Sequence, residues 1–146
     1  MLPLKGLEFL SGCSLDHVGI AVVNLDASIK CYESIGLKFD SHREIVDDQK
    51  VTVAFAPMDQ NARLELIAST TEDGPIAKFI ESKGAGIHHL CFLVDDLRQK
   101  QAELEKKGMK FVYKEAKVGA NQRLINFIHP KSTGGVLIEL SQKIND

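Results

Sequence analysis

Tryptophan is absent, tyrosine occurs twice, and cysteine only three times. The cysteines, Cys13, Cys31 and Cys91, are odd in number and form no CxxC pair. That excludes a disulfide scaffold or zinc ribbon and reads as reduced, buried thiols in a cytoplasmic protein. No apolar run approaches the roughly 20 residues of a membrane-spanning helix, so no membrane partner is expected. The opening 1-MLPLKGLEFLSGC-13 lacks a signal-peptide core of usable length and reads, through residue 14, as a surface arm. Positive charge is not in excess: 18 basic against 20 acidic residues give a net charge of −2. The basic residues are scattered rather than striped, which excludes a nucleic-acid footprint. Also missing are a glycine-rich phosphate loop, a Ser/His/Asp ordering and a thiol with an activating partner.

What is present is an ordinary globular composition, 44% apolar and 26% charged, in 146 residues. That length suits one domain with a substantial core. Within it the chain states one sentence twice. Shifted by 72 positions, 15-LDHVGIAVVNLDASIKCYESIGLKF-39 falls without a gap on 87-IHHLCFLVDDLRQKQAELEKKGMKF-111. His17 meets His89, Leu25 meets Leu97, Gly36 meets Gly108 and Phe39 meets Phe111. A fixed-offset repeat implies two copies of one supersecondary unit.

Each copy reads βαβββ. In the first, a strand over 15–22 leads to a helix over 26–35, capped by Asn24 or Asp26 and ended by Gly36. Leu25, Ile29, Tyr32 and Ile35 carry the spacing of a helix with one buried face. Strands follow over 38–46, 51–57 and 62–68, separated by the polar turns 47-DDQK-50 and 58-MDQNA-62. The linker 69-STTEDGP-75 runs into a short helix over 75–83 that opens at Pro75. The second copy gives a strand over 87–94 and a helix over 96–107 with Leu97, Ala102 and Leu104 inward. Strands over 110–115, 123–129 and 135–141 follow, with 132-STGG-135 as the final hairpin turn.

The repeat also locates chemistry. Each half opens its first strand at a histidine, His17 or His89. Each carries a glutamate inside its last strand, Glu65 in 63-RLELIAS-69 and Glu139 in 136-VLIELSQ-142. A lone carboxylate among leucines and isoleucines would cost several kcal/mol of desolvation unless paired or bound to a cation. Taken singly, each histidine would be a hydrogen-bonded core residue and each glutamate an ion-pair partner. Their recurrence in register favours one shared site. Two imidazoles and two carboxylates suit a divalent ion such as zinc, cobalt, manganese or nickel. On a six-coordinate ion they leave two neighbouring positions for two oxygens of one substrate.

The segments 16-DHVGIAV-22, 88-HHLCFLVDD-96 and 125-INFIHPKSTGGVLIEL-140 resemble the vicinal oxygen chelate (glyoxalase/bleomycin resistance) superfamily, and within it the methylmalonyl-CoA epimerases. The resemblance covers residues 15–142; the HPK…GVL-x-EL stretch is the specific part. It implies an α+β fold in which two βαβββ modules form a half-open barrel around a metal. Here that is one domain over 1–146, with repeats 15–69 and 87–142 and connector 70–86. It implies metal ligands at His17, Glu65, His89 and Glu139, one divalent cofactor ion and a homodimer. The implied activity interconverts (R)- and (S)-methylmalonyl-CoA by removal of the C2 proton through a metal-stabilised enolate, with Glu139 doubling as a base.

The chain departs from that pattern in the strand 51-VTVAFAP-57. Several family members carry a second glutamate there, and this sequence has Val53 or Thr52. The second acid/base is therefore open, with Glu44 and Asp47 as candidates. Lys131, Arg123 and Asn126 are candidates for the substrate carboxylate or the CoA phosphates. His129 either lines the site or stabilises its turn, His42 reads as surface, and His88 should face away from His89 if its strand is regular. A glyoxalase-type lactoylglutathione lyase is the alternative on the same scaffold. A metal-free binding protein for a small molecule is the alternative of another class, disfavoured by the full ligand set.

Overall fold

The computed structural model describes residues 13–144. Residues 1–12 of the expected N-terminal arm lie outside that range, while Cys13 and Ser14 open the first strand. The strands are β1 (Cys13–Ala21), β2 (Glu44–Val46), β3 (Val51–Pro57), β4 (Arg63–Ser69), β5 (Gly86–Val94), β6 (Lys117–Val118), β7 (Arg123–Ile128) and β8 (Ile138–Lys143). The helices are α1 (Leu25–Ile35), α2 (Pro75–Lys83) and α3 (Leu97–Lys106). Among the described residues, no helix is long and apolar enough to cross a membrane.

All eight strands form one sheet in the order β2-β3-β4-β1-β5-β8-β7-β6. β1 and β5 pair antiparallel at the centre. Outward from each, the pattern repeats: β1 pairs β4 in parallel as β5 pairs β8, and the remaining neighbours are antiparallel. An approximate twofold axis therefore passes between β1 and β5. The sheet curls into a half barrel, and Glu44 on β2 reaches the far half by accepting a 2.8 Å hydrogen bond from the Asn121 backbone N–H.

Side-chain alternation decides what faces the hollow. On β4, Leu64, Leu66 and Ala68 turn outward and pack with Ala54 of β3 beneath Ile29 of α1. The intervening Glu65 and Ile67 turn inward. In the second half, Leu124, Ile128 and Leu140 pack beneath Leu97 of α3, leaving Glu139 and Ser141 on the inner face. Burying a leucine such as Leu66 or Leu97 contributes about 1.5–3 kcal/mol. That apolar packing offsets the cost of holding charged groups on the other face.

The helix ends follow local chemistry. Asn24, not Asp26, caps α1 by accepting from the Ala27 N–H, and Gly36 closes it in the left-handed conformation at φ 117°. Asp96 caps α3 by accepting from the Gln99 N–H.

Several expectations are corrected. Ile35, the last residue of α1, is 71% exposed rather than inward. On α3, Ala102 is exposed and Gln101 takes the inward place. The strand expected over 38–46 shrinks to Glu44–Val46. Upstream, the Arg43 guanidinium turns back onto the Asp40 carbonyl, and local bonds of this kind compete with a ladder.

The strand expected over 110–115 is reduced to one bridge, Phe111 with Ile128. The side chain of Asn126 intervenes: it accepts from the Tyr113 N–H at 3.1 Å and donates to the Tyr113 carbonyl at 2.9 Å. A side chain thus replaces the neighbouring backbone. Asn126 is fully buried and also donates to Gln101 Oε1, so it is a structural pin rather than a substrate contact. The final strand begins at Ile138 instead of 135, after a Pro130–Ser132 turn and two left-handed glycines, Gly134 and Gly135. Of the thiols only Cys91 is buried; Cys13 and Cys31 are exposed.

Candidate metal centre

His17 and His89 come from the two central strands, Glu65 and Glu139 from the strands flanking them. Their donor atoms meet at one point. His17 Nε2 lies 3.1 Å from His89 Nε2, 3.4 Å from Glu65 Oε1 and 3.2 Å from Glu139 Oε1. His89 Nε2 lies 3.2 Å from Glu65 Oε1 and 3.0 Å from Glu139 Oε1. Atoms bound at about 2.1 Å to one ion lie about 3.0 Å apart at a right angle and about 3.4 Å apart at the tetrahedral angle. The observed separations span that interval. All four residues are buried, and Glu65 Oε1 has no hydrogen-bond partner. A buried, orphaned carboxylate oxygen facing two imidazole nitrogens fits a divalent cation.

Two β-bulges, at matched places, shape the surroundings. The β1–β5 register slips between Leu15 and His17, leaving Asp16 unopposed, and again between Gly19 and Ile20, leaving His88 unopposed. A bulge turns adjacent side chains toward the same side. Asp16 Oδ2 therefore accepts from His17 Nδ1 at 2.7 Å, and His88 Nδ1 lies 2.9 Å from His89 Nδ1. Each of these two histidines so has its second nitrogen engaged, the arrangement that fixes ring orientation at metal sites. His88 does not face away from His89, because the regular strand that expectation required is interrupted.

The electrostatics follow from these contacts. Burial alone would raise the Asp16 pKa. Hydrogen bonds from His17 and Arg63 and the charges of Arg63 and Arg123 outweigh it, holding the carboxylate well below its usual range. Burial likewise opposes charge on both ligand histidines. The Asp16, Glu139 and Glu65 carboxylates and Cys91 beside the ring nevertheless raise His17, and the Glu139 and Glu65 carboxylates raise His89 to about 9. Burial would raise Glu65 and Glu139, but the two histidines hold both below the usual carboxylate range. Both shifts favour a proton on the histidines beside the two carboxylates, and an ion would compete with such protons for the ring nitrogens. His88 is pushed down to about 4 by burial and by the charge of His89, so it stays neutral and able to accept the His89 Nδ1 proton.

The centre opens into a cavity of about 320 Å³, walled by apolar side chains such as Val51, Val53 and Ile125 with Tyr113, Arg63 and Arg123 among them. Phe55 and Phe127, matched by the repeat, meet His17 and His89 in T-shaped contacts with ring centroids 5.6 and 6.0 Å apart. Arg63 and Arg123 both donate to Asp16, at 2.8 and 3.1 Å.

The remaining sequence candidates lie elsewhere. Glu44 bonds Asn121, and neither it nor Asp47 lines the cavity. Lys131 is exposed on the Pro130–Ser132 turn, whose backbone bonds to His129 Nδ1. His129 therefore stabilises its turn. Sequence reasoning missed Asp16 as the orienting partner of His17 and Arg63 as its counter-ion. The available signal was a charged residue interrupting an apolar strand start directly before a ligand.

Comparison with known proteins identifies the family. The Glyoxalase/Bleomycin resistance protein/Dioxygenase superfamily matches residues 16–127. Human mitochondrial methylmalonyl-CoA epimerase is 36% identical over 129 residues, covering 88% of this chain and 73% of its own. The crystal structure of methylmalonyl-CoA epimerase from Mycobacterium tuberculosis superposes with a TM-score of 0.84 at 41% identity, covering 90% of this chain and 88% of its own. A variant of the Streptomyces coelicolor enzyme in complex with 2-nitronate-propionyl-CoA gives a TM-score of 0.85 at 31% identity, covering 90% and 97%. The chain belongs to the glyoxalase/bleomycin resistance/dioxygenase superfamily, within its methylmalonyl-CoA epimerase branch.

Proposed function

We propose that the protein is a metal-dependent epimerase that interconverts (R)- and (S)-methylmalonyl-CoA by removing and returning the C2 proton. The observation that carries this is the convergence of His17, Glu65, His89 and Glu139 on one point at the base of a cavity. These four side chains hold one divalent ion, zinc, cobalt, manganese or nickel. When bound, the ion polarises the thioester carbonyl and offsets the charge that develops as the proton leaves. Glu139 keeps one carboxylate oxygen for the ion and uses the other on the C2 proton, whereas Glu65 serves the ion alone. Phe55, Phe127 and Val53 exclude water from C2. Arg63 and Arg123 leave one positive charge beyond that neutralised by Asp16, and it attracts the substrate carboxylate or the CoA phosphates, with Lys131 outside the cavity adding to it.

Three unpaired thiols suit a cytoplasmic setting. Exposed Val23 and Ile87, both near the end of the central strands where Ala21 pairs with Gly86, support a homodimer. The test is proton NMR of methylmalonyl-CoA in D₂O with the purified protein, before and after chelation, alongside elemental analysis. The expected result is loss of the C2 proton signal with about one divalent ion per chain, abolished by chelation and by His17→Ala or His89→Ala. Unchanged C2 signal with metal-loaded protein would sink the reading.

A further inference from the structure

Inverting C2 requires a proton to leave one face and another to arrive on the opposite one. Glu139 can serve only one of them. Four carboxylates line the cavity: Asp16, Asp48, Glu65 and Glu139. Asp16 is tied to His17, Arg63 and Arg123. Glu65 and Glu139 face the two histidines. Among the described residues, Asp48 alone of the four makes no side-chain hydrogen bond or ion pair.

Its position is distinctive too. Asp48 lies on the short Asp47–Gln49 helical turn between β2 and β3, in the first half, whereas Glu139 lies on β8 in the second. The two therefore come to one cavity from different halves of the repeat. Tyr113 reports both: burial raises its hydroxyl pKa, and the charges of Glu139 and Asp48 raise it further. Val53, on the inner face of the same half, is apolar and offers no proton-transfer group. The residue after Asp48 shows that this turn faces a ligand. Gln49 lines the same cavity, and its Nε2 is buried without a partner. Such a buried donor is costly until an acceptor arrives, and a substrate oxygen seated against the turn supplies one.

We propose that Asp48 is the second proton-transfer group, serving the face of C2 opposite Glu139; this rests on the epimerase reading above. For one enantiomer, Glu139 takes the C2 proton and the electron pair of the C–H bond passes into the thioester. Asp48, protonated from water at the exposed mouth, returns a proton to the other face. The opposite enantiomer runs the path backwards. Nothing is oxidised or reduced, and Glu139 ends with one proton while Asp48 loses one.

The experiment follows C2 exchange in D₂O and inversion by circular dichroism, starting from each pure enantiomer, for wild type, Asp48→Asn and Asp48→Glu. Asp48→Asn should lose inversion by about 10²–10⁴-fold, the usual worth of a positioned acid/base. It should still exchange the enantiomer that Glu139 deprotonates within about tenfold of wild type, and keep its metal. Asp48→Glu should recover part of the inversion. Inversion by Asp48→Asn within threefold of wild type overturns the assignment. So does equal loss of inversion and of exchange from both enantiomers, which marks a merely structural residue. Inactivity of the metal-loaded wild type would instead refute the epimerase reading, and this assignment with it.

Discussion

Gly19 is the residue through which the geometry can be tested most sharply. It lies on β1 directly opposite His89 of β5. Its lack of a side chain leaves the space that the imidazole fills. A Cβ placed there would lie 2.1 Å from His89 Cε1 and 2.6 Å from Nε2, where ordinary contact begins at 3.4 Å. In Gly19→Ala the ring must retreat by about 1.3 Å (3.4 less 2.1). Metal–nitrogen bonds tolerate only about 0.2 Å, so His89 leaves the ligand set. On the matched side, Cys91 stands opposite His17. A Cβ is compatible with a ligand histidine there, because Asp16 holds the His17 ring in its own pose. The His89 ring instead lies directly over Gly19, with its Nδ1 facing His88. Gly19→Ala should therefore fold, retain its far-UV circular dichroism, and bind metal at least 10–100-fold more weakly, the range seen when a ligand's support is lost. Titration against a chromogenic chelator, with Gly19→Ser as a second variant, reads this directly. Wild-type affinity in Gly19→Ala would show that His89 does not ligate in the pose described.

Glu65→Gln should keep metal and much of the C2 exchange, because an amide oxygen can still ligate. Glu139→Gln should keep part of its metal yet lose about 10²–10⁴ in rate; equal small losses would mean that Glu139 is a ligand only. Stripped of metal, the protein should become less stable as pH rises from about 6.5 to about 9. The sign follows from His89, raised from 6.5 to about 9, whose favourable proton is fully present below the lower value and lost through the upper one. Thermal melts of chelator-treated protein across that window check it, and a flat profile refutes it. Asn126→Leu should lower stability by about 1–3 kcal/mol, because it leaves buried partners at Tyr113 and Gln101 unpaired; urea denaturation measures the loss, and an unchanged midpoint would contradict the pin.

The repeat made much of this legible in advance. Offset 72 predicted two halves in one register, and the matched places of Glu65 and Glu139 in the last strand of each half predicted one shared site, because a repeated sequence repeats its backbone geometry. The helices were read from caps and spacing for the same reason. Failures came where a side chain replaced local pattern. Residues 110–115 carry a strand-like sequence, but Asn126, eleven or more positions away, takes the backbone bonds of Tyr113. Gln101 entered the core in place of Ala102 because Asn126 needed an acceptor. His88 turned toward His89 because of a bulge that no single-strand pattern encodes.

By itself, then, the sequence determined the duplicated βαβββ architecture, the two histidines and two glutamates, and their shared direction, since spacing along one chain fixes which face a side chain takes. Only the tertiary structure decided which atoms touch. It joined β1 to β5 so that Gly19 makes room for His89, bent Asp16 and His88 onto His17 and His89, drew two arginines to one aspartate, and brought Asp48 and Glu139 to one cavity. Those relations depend on register between strands and on curvature of the sheet, which exist only once distant segments have packed.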